Sequence, residues 1–406
     1  MKKSDFPIFD TYPNLVYLDN AATSQKPQII IDTISDFYKT SNANVHRGIH
    51  KLAEKATLAY EESRRTIADY LNVYTNEVLF TSGTTESLNL VSNMLTLANK
   101  NVEMKRTVLV TEMEHHSNLL PWQHMCEELG WQIEYLGLTA DFKLDIEDLR
   151  IKLRKNDVAI FAFTHMSNVL GTINDVSKIC KVVKELTKET ITVVDGAQYL
   201  PHARFNLGQN QDIDFYAFSG HKMLGPTGVG VLFGRQEMLN KLEPVKRGGG
   251  MISVVNKTAA TWAESPEKFE AGTPNIADAI GLGIAIEYLK ALDPGILKQH
   301  MSELTAYTYE KLTEIHEIKL FGPQMGFERG PVFSFTVEGI HPHDLAQILD
   351  HDDIAIRAGH HCTQILHREV LHIPASNRAS LMFYNSTSDI DRLSESLKAA
   401  IIKFKK

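Results

Sequence analysis

Between about residues 77 and 234, short apolar runs rich in β-branched residues alternate with helical patterns, and no other feature of the chain restricts its fold as much. The runs are "EVLF", "TVLVT", "VAIFAF", "ITVVD", "DFYAFS" and "GVGVLFG". Near-continuous apolar strands fit a sheet covered on both faces, and the intervening helical patterns supply βαβ crossovers. An α/β fold with a mostly parallel, doubly covered sheet is therefore expected. At 406 residues the chain exceeds one ordinary core, which predicts one large domain and one smaller one.

After about residue 295 the texture changes. There "VFSFTVEG", "IAIR" and "ASLMFYN" read as strands. Asp389–Lys406 reads as an amphipathic closing helix with Ile390, Leu393, Leu397 and Ile401 on one face, capped by Ser388 or a neighbour. The expected division is an N-terminal segment 1–20 packing with the small domain, a large domain 21–290, and a small α+β domain 291–406, bridged by the apolar helix around Ile280–Leu292.

Several function classes are excluded by what the chain lacks. Its formal charge of -8 comes without a basic cluster, so no nucleic-acid surface is expected. No apolar run approaches the eighteen or so residues of a membrane span, and the start "MKKSDFPIFD" turns acidic where a signal peptide would be apolar. A cytoplasmic location is expected. Cys126, Cys180 and Cys362 are odd in number and far apart, which argues against a disulfide framework.

In an open α/β sheet the ligand crevice lies beyond the carboxyl ends of the strands. Five such ends carry polar residues: Ser82-Gly83-Thr84-Thr85, His115-His116, Asn168, Asp195 with Gln198, and Ser219-Gly220-His221-Lys222. The first suits a phosphate at a helix N-terminus, although the same letters make an ordinary capping box with Glu86. Asp195 could equally cap a helix, Lys222 could be a surface charge, and the two histidines could be structural. Taken together, a lysine amine, a crevice carboxylate and a phosphate-suited turn meet the requirements of pyridoxal phosphate, which needs a Schiff-base lysine and an acid against its ring nitrogen. A second constellation, "IAIRAGHHCTQILH", holds Arg357, His360, His361 and Cys362. It admits a packed cysteine, a zinc or copper site using His360, His361, Cys362, His367 and His372, or an accessible nucleophilic thiol beside imidazoles. Arg378 could grip an α-carboxylate through two parallel hydrogen bonds.

Ten ordered motifs then carry a resemblance: "YLDNAATSQKP", "NVHRGIH", "TSGTTES", "EHHSNLLPWQ", "THMSNVLGT", "VDGAQ", "SGHKMLGPTGVG", "FEAGTPN", "RAGHHC" and "NRASLMFYN". The chain resembles the SUF-type cysteine desulfurases, a group that includes selenocysteine lyases, within the class V aminotransferases and fold-type I pyridoxal-phosphate enzymes. That resemblance implies a large domain with a seven-stranded-type sheet and a homodimer. It implies that Lys222 holds pyridoxal phosphate, Asp195 its ring nitrogen and Gln198 its phenolic oxygen, with His115 stacked on the ring. Thr84, Thr85, Ser219 and His221 would hold the phosphate, joined by Thr273 from the second subunit. Asn168, Arg357 and Arg378 would position the amino acid, and Cys362 would accept sulfur from L-cysteine before passing it to a sulfur-acceptor protein of the SUF system for iron–sulfur cluster assembly. L-Selenocysteine is the alternative substrate, and a non-catalytic metal-binding or sulfur-carrier scaffold is the distant rival. Two departures stand out: Ala358 where threonine is frequent, and "CTQIL" without the small residue and proline often found after the cysteine. Both bear on loop mobility and partner choice.

Overall fold

The computed structural model describes residues 3–155, 157–325 and 329–405. A two-residue strand, β1 (Val16–Tyr17), precedes a seven-stranded sheet made of β2 (Val78–Thr81), β3 (Thr107–Thr111), β4 (Gln132–Leu136), β5 (Val158–Thr164), β6 (Ile191–Asp195), β7 (Phe215–Ser219) and β8 (Gly230–Gly234). Its order is β2-β8-β7-β6-β5-β3-β4. Four neighbouring pairs are parallel, and β8 runs antiparallel to both of its neighbours.

Alternate residues of each strand serve opposite faces, which is why the runs look uniformly apolar. Phe161 and Phe163 of β5, Tyr216 and Phe218 of β7 and Val231 and Phe233 of β8 enter one core. Ile160, Ala162, Phe215, Ala217 and Leu232 enter the other. Burial of both faces removes enough apolar surface to stabilise a parallel sheet, whose hydrogen-bond geometry alone is the weaker arrangement. Helix Ile276–Ala291 packs across Gln28–Thr40 and Lys51–Leu71 on one side.

The chain next forms a hairpin, β9 (Ile252–Val255) with β10 (Ala260–Trp262), and later a separate C-terminal sheet. That sheet comprises β11 (Ile318–Leu320), β12 (Val332–Val337), β14 (Arg357–Gly359) and β15 (Ser376–Ser380), ordered β11-β12-β15-β14 and antiparallel throughout. Between β12 and β14 lies β13 (Ile354–Ala355), which pairs in parallel with β1. The N-terminal segment thus joins the C-terminal sheet region, and Phe6 packs edge-on against Tyr384 with ring centroids 4.6 Å apart.

Four sequence expectations change. β4 was not anticipated because exposed Gln132 and half-buried Glu134, on the sheet's edge, break the apolar run. "IAIR" is split between two sheets, with Ile354 and Ala355 facing β1 and Arg357 facing β15. The strand expected at "ASLMFYN" is Ser376–Ser380, shifted toward the buried polar residues around Arg378. The closing helix is Thr387–Phe404, capped by Ser386, with Asp389 completing a capping box. None of the described helices is long and apolar enough to cross a membrane.

Candidate active site

The parallel strands β2, β3, β5, β6 and β7 end along one edge, at Thr81, Thr111, Thr164, Asp195 and Ser219. Beyond Thr81 the chain turns at Gly83, whose φ of +148° favours glycine, and enters helix Thr84–Asn99. Ser219 Oγ accepts from Thr84 N–H at 2.9 Å and lies 2.7 Å from Thr84 Oγ1. Gly230 makes this approach possible, since a Cβ there would fall 2.4 Å from Gly83 Cα. Thr85 Oγ1 reaches Ser117 Oγ at 2.7 Å, which ties the turn to the histidine loop. Glu86 also bends back to accept from Ser82 N–H, but the residue that caps the helix is Gly83, which has no side chain, so the capping box weighed in the sequence does not form.

Asp195 is buried at the end of β6, and its carboxylate accepts from Ala197 N–H at 2.9 Å. Desolvation pushes its pKa up, opposed by that N–H and by the charge on Lys222. Gln198 Nε2 donates to Ala21 O at 2.7 Å. Lys222 closes the turn after β7, where desolvation lowers its amine to about 8. Asp195 opposes that shift, while Arg378 and Arg357 add to it. The turn is held from the N-terminal segment through one carbonyl: His221 O accepts from Ser24 N at 3.1 Å, Thr23 Oγ1 at 3.0 Å, Ser24 Oγ at 3.1 Å and Lys26 Nζ at 2.8 Å.

His115 Nδ1 accepts from Ser117 N–H at 3.1 Å. Desolvation, then Lys222, lowers its pKa to about 3, so the ring is neutral and can lie against an aromatic face. Beneath it the buried Glu114 accepts from Asn118 Nδ2 at 2.6 Å and Thr164 N–H at 3.0 Å, and also from Thr111 Oγ1. It joins the ends of β3 and β5.

From the C-terminal sheet, Arg357 and Arg378 face each other in register. Arg378 Nη2 pairs with Asp19 at 3.0 Å and Nη1 donates to Asn168 O at 3.2 Å, while its buried Nε has no partner among the described residues. Arg357 Nη2 lies 3.9 Å from Cys362 Sγ. Cys362 is half-buried and free, whereas Cys126 and Cys180 are buried.

Eleven of the thirteen expected site residues line a single cleft; Cys362 and Thr273 do not. Cys362 stands just outside through its contact with Arg357, and Thr273 is exposed. The cleft also includes Ser117 and Thr164, which had no expected role, and His361, which was weighed only as a metal ligand or as an imidazole beside the thiol. Asp19 was likewise unassigned, although it sits in the quoted "YLDNAATSQKP". Among the described residues, no three His, Cys, Asp or Glu side chains assemble as a metal-holding group. His361 and His367 instead turn inward to Ser376, at 3.1 and 3.0 Å from its Oγ.

The aminotransferase class-V family matches residues 16–393. A probable cysteine desulfurase of Staphylococcus aureus (strain Mu50) is 46% identical over 399 residues, covering 97% of this chain and 94% of that protein. One from Streptomyces coelicolor is 43% identical over 403 residues, covering 98% and 95%. The apo structure of cysteine desulfurase from Thermococcus onnurineus NA1 superposes with a TM-score of 0.92 at 37% identity, covering 99% of this chain and 97% of that one.

Proposed function

Because the chain belongs to the aminotransferase class-V family, we propose that it is a pyridoxal-phosphate-dependent cysteine desulfurase, converting L-cysteine to L-alanine and storing the sulfur as a persulfide on Cys362. The observation that carries this reading is one cleft shared by the Lys222 amine, the Asp195 carboxylate and facing arginines, with the Cys362 thiol beside it.

The residues present fit the cofactor. The Asp195 carboxylate, the Lys222 amine and the Thr84 and Ser219 hydroxyls share one cleft, a set suited to a ring nitrogen, a carbonyl carbon and a phosphate, while the buried Nε of Arg378, without a partner among the described residues, is a donor left for a carboxylate. Gly83 offers the start of this helix no side-chain cap, so beyond Thr84, whose N–H goes to Ser219 Oγ, the first-turn N–H groups are left for a phosphate. Thr84, Thr85, Ser219 and His221 would hold the phosphate, Asp195 the ring nitrogen, Gln198 the phenolic oxygen, His115 the ring face and Lys222 the carbonyl carbon. When bound, the cofactor acts as an electron sink for charge developing at the substrate's α-carbon.

The chain's own groups do the rest. Arg378 and Arg357 grip the substrate carboxylate, and Asn168 fixes the backbone between them. Lys222 Nζ, with basicity lowered toward neutrality, takes the α-proton and can return one. Cys362 Sγ forms a bond to the substrate sulfur as the substrate's C–S bond breaks. The sum is balanced without an external oxidant: L-cysteine and a thiol give L-alanine and a persulfide.

The finer parts of the reading concern partners. The protein acts in the cytoplasm as a homodimer, with exposed Thr273 completing the partner's phosphate cup, and hands sulfur to a SUF-type acceptor for iron–sulfur cluster assembly. The short His-His-Cys loop and the exposure of Thr273 support this. The deciding test is alanine formation from L-cysteine with reductant, wild type beside Cys362→Ala, on protein loaded with pyridoxal phosphate. Alanine from wild type alone supports the reading; equal alanine from both rejects the persulfide route.

A further inference from the structure

His116, next to the ring-facing His115, takes no part in the cleft wall, yet it makes two contacts to one distant loop. Its backbone N–H donates to Cys362 O at 2.8 Å. Its imidazole Nε2 accepts from Gln364 N–H at 3.1 Å. The two contacts fall at Cys362 itself and two positions beyond it. The second requires an imidazole that is unprotonated at Nε2.

The loop they hold is a costly one. His361 and Cys362 have φ of 51° and 60°, consecutive left-handed conformations in residues with a Cβ. Such conformations persist only where surrounding contacts over-determine them. Asn168 Nδ2 supplies one further contact, to His361 O at 2.7 Å. Thr363 supplies the internal turn, its N–H and Oγ1 both donating to His360 O. Asn168 thus holds the loop just before the thiol, and His116 holds it at Cys362 and just after.

We propose that His116 is a positioning residue for sulfur transfer, a clasp whose amide and imidazole hold the Cys362 loop in its left-handed conformation and so place Sγ beside the cleft. The role of the clasp in turnover rests on the desulfurase reading; its grip on the loop does not. Because one atom pair comes from a side chain, the grip can be altered without touching any residue of the cofactor or carboxylate sites.

The test uses protein loaded with pyridoxal phosphate and measures alkylation of Cys362 by iodoacetamide at fixed pH, with adducts located by peptide mass. Cys126 and Cys180 are buried, so the fast label reports on Cys362. Loss of one hydrogen bond corresponds to a change of about fivefold. His116→Ala is expected to speed alkylation by about that factor and to lower kcat for alanine formation similarly, leaving KM for L-cysteine and the cofactor's absorbance unchanged. In His116→Gln an amide oxygen replaces Nε2 as acceptor, and both readouts should return toward wild type. Alkylation at the wild-type rate in His116→Ala, or equal acceleration in both variants, would overturn the clasp. Wild-type protein that makes no alanine, with alkylation still responding to His116→Ala, would leave the clasp standing and remove the desulfurase reading.

Discussion

Arg357 and Arg378 stand directly opposite each other on neighbouring antiparallel strands, cation facing cation. Like charges so placed are destabilising. Asp19 offsets Arg378, but Arg357 has no ion pair among the described residues. The arrangement calls for an anion from outside. Replacing Arg378 with Ala should raise KM for L-cysteine at least about tenfold, the usual scale of a hydrogen bond to a charged group. Arg378→Lys should recover part of the charge and less of the geometry. An unchanged KM in both would place the substrate carboxylate elsewhere.

Cofactor loading should carry the imprint of a buried lysine. Burial lowers Lys222 from 10.5 to about 8, and only the neutral amine is a nucleophile. For protein stripped of cofactor, covalent uptake of pyridoxal phosphate, read by absorbance, should accelerate as pH rises through about 8 and level off above it. An ordinary lysine would still be accelerating at pH 10. Continued acceleration there would mean that the amine is solvated.

Substrate choice can be separated from sulfur capture. Selenium leaves carbon more readily than sulfur and needs less help from an attacking thiol. Cys362→Ser should therefore lose alanine formation from L-cysteine to background and keep much of it from L-selenocysteine. Equal loss on both substrates would show that Cys362 has a task other than accepting the chalcogen.

A stability prediction concerns the segment that carries Thr273. Glu270 accepts from both Nη atoms of buried Arg64, at 2.7 and 2.8 Å, and from Phe80 N–H at 2.7 Å. Breaking a buried pair by removing one partner costs about 3–5 kcal/mol. Urea unfolding of Glu270→Ala should show a loss of that order; a loss below about 1 kcal/mol would mean that the pair is effectively solvated.

The strands that build the large sheet were legible because apolar side chains are needed on both faces, and "VAIFAF" and "ITVVD" leave little else to form. The cleft was legible for a related reason: Asp195, Ser219 and Lys222 interrupt those runs where they meet the crevice. The same logic failed in the small sheet. Ser376–Ser380 is a buried strand with four polar residues of five, because Arg378 faces the cleft while Ser376, Asn377 and Ser380 hydrogen-bond to His361 and His367, Pro342 and the N-terminal segment. Apolar patterning therefore drew the expected strand toward Leu381 and Met382. Asp19 was missed, and the structural reading of His116 came without a partner, because Arg378 and the Cys362 loop are hundreds of residues away and no local spacing signals them.

Asp19 and Arg378 are 359 positions apart, and β1 waits nearly as long for β13. During synthesis the N-terminal portion leaves the ribosome first and begins to fold as a unit. The edge bearing Asp195 and Lys222 is complete well before the arginines exist. A chain stalled short of residue 357 would carry the amine and its carboxylate with nothing to grip an amino acid, so the order of translation keeps the substrate half of the cleft until last.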